Sequence, residues 1–350
     1  MEAQKLISGL FKLQYHHTII FTMSDNQFIF DNTYSLNINS HIIKHFNKIN
    51  IKEINPTTNI INEYIFEGDL SILVDELVYH IFKEFNEGKN REIIKQHVLN
   101  YIHSHGIISQ EICCWLSNNQ NNSNSTYLFG YFNYHGIGTD LDKQKAIELY
   151  QKAAKLENRV AQLNLANMHI YGKEVDNDYD LAFELSKKLA EVECASGINN
   201  LGYCYNNGIG TDINNQKAFE LFQKAADLGN SYGINSLGCC YEEGIGTDTN
   251  KQKAFELYKK AADLGNSTGM SNLGYCYYGG IGTDVDEQKA FELFQKAADL
   301  GSDAAQYNLA WIYENGDGIK DMKQAIYWYK KSAEQDYEIA QNKLKEILKK

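Results

Sequence analysis

The chain has 350 residues, 43% of them hydrophobic and 22% charged, with a net charge of −12 and a pI near 5.3. That is enough apolar material for a sizeable core or a long array with a continuous one. The acidic balance, and the lack of any basic cluster beyond "NKLKEILKK" at the C-terminus, argue against nucleic-acid and anionic-membrane partners.

The N-terminus, "MEAQKLISGLFKLQYHHTIIFTM", has no basic leader, and Lys, Gln and His interrupt its apolar residues, so it does not read as a secretory signal. No apolar run of about 18 residues occurs, so no membrane insertion is expected. Seven cysteines outside any disulfide framework point to a reducing, cytoplasmic home. Residues 1–65 are rich in Asn and Ile and weakly periodic, and read as irregular or poorly ordered. Residues 66–120 read as a short helical leader. "DLSILVDELVYHIFKEFNEG" and "NREIIKQHVLNYIHSHG" are helices that each end in glycine, and "SQEICCWLSNN" is a shorter third. "NNQNNSNS" follows as a polar linker. The three helices are suited to cap the array that comes next.

Residues 121–350 repeat. Glycine stands at Gly136, Gly172, Gly208, Gly244, Gly280 and Gly316, a strict period of 36. Phe129, Leu165, Leu201, Leu237, Leu273 and Leu309 stand seven residues earlier, each followed by Gly or Ala. Units are expected near 123–158, 159–194, 195–230, 231–266, 267–302 and 303–337. Each unit reads as two helices. In helix A of the third, Gly197, Ile198, Cys204 and Tyr205 share a face with Leu201. In helix B, Ala218, Phe219, Leu221, Phe222, Ala225, Ala226 and Leu228 keep a helical period. Asp142, Asp178, Asn214, Asn250 and Asp286 fill the N-cap column of helix B. Two such helices cannot bury their apolar faces alone, but stacked units can. The last segment, residues 338–350, is a lone helix A in which Lys345 replaces the small residue, and it reads as a terminal cap.

These columns resemble the Sel-one-like repeat (SLR) family, relatives of the tetratricopeptide repeat. The stretch "NLGYCYNNGIGTDINNQKAFELFQKAADLGN" carries the resemblance. It implies an all-α, right-handed α-solenoid that binds other proteins as a scaffold or adaptor, with no shared catalytic residues and no cofactor. A second implied role is regulatory, as a subunit or activator of a signalling kinase or a cell-wall synthase. The leader also resembles the segment joining a kinase domain to such repeats in some large fungal families. No Val-Ala-Ile-Lys, His-Arg-Asp or Asp-Phe-Gly element is present. Some bacterial members pair helices A and B by disulfides. Helix B has no cysteine here, so that feature does not transfer.

"GIGTD", which occurs four times, lacks the lysine and preceding strand of a phosphate loop. It reads as a helix C-cap: the first glycine takes the left-handed conformation, and the second is replaceable, since Glu174 occupies its column. His97, His103, His105, Cys113 and Cys114 match no common zinc spacing, so no metal is expected. No nucleophile elbow occurs, and no small-molecule substrate is implied. The candidate site is the concave side of helix A, which would hold a protein or peptide. Its expected residues are Tyr131, Tyr134, Asn167, Tyr203, Asn206, Glu242, Tyr275, Tyr278, Trp311 and Glu314. Exposed Tyr and Trp on a rigid surface are what interfaces favour.

Overall fold

The computed structural model describes residues 21–24, 27–30, 67–172, 174–316 and 320–347, and divides into units 1–64 and 65–350. In the first, strand β1 (Phe21–Ser24) pairs antiparallel with β2 (Gln27–Phe30), Phe21 opposite Phe30. The irregular region expected over 1–65 otherwise lies outside the described residues.

The second unit is helical. Its leader contains α1 (Glu67–Asn86), α2 (Arg91–Ser104) and α3 (Ser109–Asn118). Six A/B pairs follow: α4 (Ser123–His135) with α5 (Lys143–Lys155), α6 (Arg159–Tyr171) with α7 (Tyr179–Glu191), and α8 (Ala195–Asn207) with α9 (Asn215–Asp227). The last three are α10 (Ser231–Glu243) with α11 (Lys251–Asp263), α12 (Ser267–Gly279) with α13 (Glu287–Asp299), and α14 (Asp303–Asn315) with α15 (Met322–Ala333). Helix α16 (Glu338–Ile347) closes the end against α15.

The capping column works as expected. The side chains of Asp142, Asp178, Asn214, Asn250 and Asp286 each accept from a backbone N–H three residues on. That satisfies one orphan donor per helix. Within a pair, a helix B aromatic lies on the helix A glycine. A Cβ at Gly202 would come within 2.8 Å of the Phe222 ring, and one at Gly238 within 2.7 Å of the Tyr258 ring. Between units, Phe183, Phe219, Phe255 and Phe291 meet Tyr205, Tyr241, Tyr277 and Tyr313 edge-on, with centroids 5.4 to 5.7 Å apart. This ring geometry is favoured by the aromatic quadrupole.

The glycine turns differ from expectation in two ways. Gly136, Gly172, Gly208, Gly244 and Gly280 are left-handed, but Gly316 is extended, with φ −71°. The sixth unit, one residue shorter, thus lacks the left-handed cap at this position. More importantly, the second glycine is the more demanding. Gly210 and Gly246 have φ +63° and +66°, and a Cβ would stand 2.3 Å from the carbonyl oxygens of Tyr179 and Asn215. At Gly208 the nearest obstacle is a flexible Ile213 side chain at 3.1 Å. At Gly210, Gly246 and Gly282 the second glycine thus lets the turn press against the start of the preceding helix B. Glu174 takes the same positive φ, 67°, and its carboxylate pairs with Lys143 at 3.1 Å. Gly138 faces the Ser109 carbonyl in the same way, which gives α3 the place of a helix B before the first unit.

Candidate functional site: the inner face

From α6 onward, successive A helices touch, whereas no two B helices come as close. The A helices therefore line the inner side, and two different occupancies divide it.

Over units 1 to 3 the inner face is filled by the leader. Helix α1 packs on α4, α6 and α8. Its Leu73, Val74, Leu77, Val78, Ile81 and Phe85 join one continuous core with Tyr127, Leu128, Leu165 and Met168. The C-terminus of α1 is capped by other parts of the chain. Ser196 Oγ donates to Phe85 O at 2.5 Å, Asn230 Nδ2 to Asn86 O at 2.9 Å, and Ser231 N to Glu87 O at 3.0 Å. Ser231 Oγ donates to Gly88 O at 2.6 Å. Negative helix C-terminal carbonyls thus meet the positive N-termini of α8 and α10. The service is returned at α8. Its N-cap is Cys194, which makes no capping bond. Instead, Asn86 Oδ1 accepts from Ser196 N and from Cys194 Sγ, both at 3.3 Å. The other A helices carry their own caps: Asn122, Asn158, Asn230, Asn266 and Ser302.

Beyond α1, Arg91 enters a cluster with Tyr131, Tyr134, His135 and Tyr150 around a cavity of about 10 Å³, room for one water. Tyr131 is 1% exposed, so this predicted site residue is closed to a partner, because the leader lies over it. Burial pushes the pKa of its hydroxyl well above the usual tyrosine range. Tyr134 is half-buried and donates to Glu174 at 2.8 Å; burial pushes it up to about 12. Burial, reinforced by Lys95, Arg91 and Lys143, pushes His135 down to about 3.

The remaining predicted residues follow the face outward. Asn167 and Asn206 are half-buried, and Asn167 Oδ1 accepts from Asn200 Nδ2 at 2.8 Å. Tyr203, half-buried, lies 5.6 Å from the Tyr171 ring. In units 5 and 6 the rings are open: Tyr275 is 54% exposed, Tyr278 39% and Trp311 37%. Tyr278 and Trp311 meet edge-on at 5.8 Å. Glu242 and Glu314 accept from Tyr258 and Tyr329 at 2.6 and 2.8 Å, and Glu314 also pairs with Lys343 at 3.0 Å.

Sequence reasoning missed the whole reciprocal latch of Asn86, Ser196, Asn230 and Ser231. One signal was available: Cys194 interrupts a column of capping residues. It also missed the tie between columns. Glu242 and Glu314 in helix A accompany Tyr258 and Tyr329 in helix B, whereas Tyr278 accompanies Phe294. The chemistry of other candidates is bland. Cys113, Cys204, Cys240 and Cys276 are free and buried, and burial raises each thiol. His97 Nδ1 lies 2.7 Å from Glu84 Oε1, while Cys114 is exposed. Among the described residues no group of three or more His, Cys, Asp or Glu is arranged to hold a metal, and no helix is long and apolar enough to cross a membrane.

Paired helices, a close-packing glycine, glycine elbows and an A-lined inner side define a helical-repeat solenoid. The Sel1 repeat model matches residues 123–158, 159–192, 195–230, 231–266, 267–302 and 303–337. The chain belongs to the Sel1 repeat family, whose members are typically non-catalytic scaffolds for protein interactions. It is similar to a Sel1 repeat protein from Oxalobacter formigenes at 25% identity and TM-score 0.53, over 66% of this chain and 93% of that one. A protective antigen with an SLR fold, c5321 of uropathogenic Escherichia coli, matches at 25% identity and TM-score 0.44, over 81% of this chain and 67% of that one. Helicobacter pylori cysteine rich protein B matches at 32% identity and TM-score 0.30, over 38% and 96%. No curated protein matches the chain.

Proposed function

We propose that this protein is a scaffold that holds a peptide or helix of a partner protein on the inner face of units 4 to 6. One observation carries the reading: the chain's own α1 already lies on this face over units 1 to 3. A helix is therefore an occupant that the stacked A helices accept. In units 5 and 6 the corresponding surface presents Tyr275, Tyr278 and Trp311 to solvent. Aromatic side chains offer large contact area at low entropy loss, which suits them as anchors.

A photo-crosslinking residue placed at Tyr278 should capture the partner, whereas one at the exposed Glu256 of α11 should not. Equal capture at both positions, or capture at Glu256 alone, would refute the inner-face assignment.

A further inference from the structure

The two ends of the inner face are related by the repeat. Tyr131 and Tyr134 in unit 1 occupy the same columns as Tyr275 and Tyr278 in unit 5. The unit 1 pair has an occupant: the leader's Arg91 lines the same small cavity as both side chains. A guanidinium stacks well on aromatic faces and is more weakly hydrated than an ammonium. The unit 5 pair keeps the rings and lacks that occupant.

The surroundings of the open pair favour positive charge. Side chains on one A helix meet those 33 residues later on the next. Asn200 bonds Asn167, Asn272 reaches Cys239, and Trp311 packs on Tyr278. Glu242 and Tyr275 stand at the same offset on neighbouring A helices. The line across the face therefore runs Glu242, Tyr275, Tyr278, Trp311, Glu314. Its two carboxylates are not equivalent. Glu314 is paired with Lys343 at 3.0 Å. Glu242 is fixed by the neutral Tyr258 hydroxyl, and no lysine, arginine or histidine pairs with it among the described residues. It is half-buried, and a charge so placed gains much from an opposite charge brought to it. A chain of net charge −12 also draws cationic segments by long-range attraction.

We propose that the open inner face recognises its partner through an arginine side chain, seated on Tyr275, Tyr278 and Trp311 with its charge toward Glu242. This rests on the scaffold reading above and names the chemistry that the same surface selects. The partner segment would resemble the leader, with an apolar helical stretch followed by arginine, as Phe85 precedes Arg91.

The test uses the full chain and a fluorescein-labelled peptide copying residues 79–93, "YHIFKEFNEGKNREI", read by fluorescence anisotropy. A second peptide carries Gln in place of its arginine. The arginine peptide should bind about tenfold more tightly than the Gln peptide. Glu242→Gln keeps an acceptor for Tyr258, and should weaken the arginine peptide about tenfold while leaving the Gln peptide nearly unchanged. Tyr275→Ala with Tyr278→Ala should abolish binding of both, with the circular dichroism unaltered. Equal affinity of the two peptides, indifference to Glu242→Gln, or no binding of either at roughly 1 mM overturns the arginine assignment. Binding of both peptides that survives the double tyrosine variant goes further and refutes the inner-face reading itself.

Discussion

Tyr131 and Tyr275 hold the same column of the same repeat, yet one is 1% exposed and the other 54%. The repeats do not make this difference. The leader does, by laying α1 over units 1 to 3 and stopping short of units 5 and 6. One inner face thus has a closed half, which shares the leader's core, and an open half whose rings stay exposed. The closed half shares its core with α1; the open half is a row of smaller clusters, each confined to one unit and its neighbour. In a solenoid, stability is a sum of local terms. Strengthening one end leaves the other end free to keep exposed rings.

The largest way to break the comparison is to hollow out α1. Leu77 is 1% exposed within the shared core. Leu77→Ala should cost about 2–5 kcal/mol, since buried Leu→Ala changes fall in that range. Tyr278→Ala, on the open half, should change stability by no more than about 0.5 kcal/mol. Urea titration followed by circular dichroism measures both. If Leu77→Ala is as mild as Tyr278→Ala, α1 does not close the first half.

The repeat architecture was legible because its signals are local and reiterated. Six glycines at one spacing, an N-cap column and a helical apolar period all reported the same unit. The site was legible only in part. Column alignment singled out Tyr275, Tyr278 and Trp311, whose rings are exposed in the structure. It could not find that Tyr131 is covered, because the covering helix is a leader element outside the period. The close approach at the second glycine was missed for a related reason. The identity of Glu174 suggested that the second glycine is dispensable. The close approach to Tyr179 O and Asn215 O is a contact between units, which no single unit's sequence reveals.

Acid should separate the halves next. All ten histidines lie at or before His169, so units 3 to 6 contain none. His135 has its folded pKa pushed down to about 3, chiefly by burial, against 6.5 normally. Between those values the unfolded chain binds a proton that the folded chain refuses. Stability from this group is therefore complete above about pH 6.5 and declines as pH falls toward 3, by at most about 1.4 kcal/mol per unit. Hydrogen exchange at pH 7 and pH 5 should show α4 and α1 losing protection relative to α12 and α14. His135→Asn should flatten the pH dependence. Equal loss across all four helices would contradict the division.

The smallest effect tests the seam itself. Asn86 caps α8 from outside, in the one described unit whose own N-cap, Cys194, makes no such bond. Asn86→Ala removes an acceptor for Ser196 N, and should cost about 1 kcal/mol, the usual value of an N-cap. A plain packing loss would predict a similar number, so a second change is needed to tell them apart. Cys194→Asn gives α8 the residue that caps α6, α10 and α12. If capping is what Asn86 supplies, Asn86→Ala should cost markedly less in the Cys194→Asn background, with a coupling of about 0.5 kcal/mol or more. Additive effects would mean that Asn86 holds the leader by packing alone. Coupling would mean that the third unit depends on the leader for its first helical turn. The boundary between closed and open halves would then be fixed by a single missing cap.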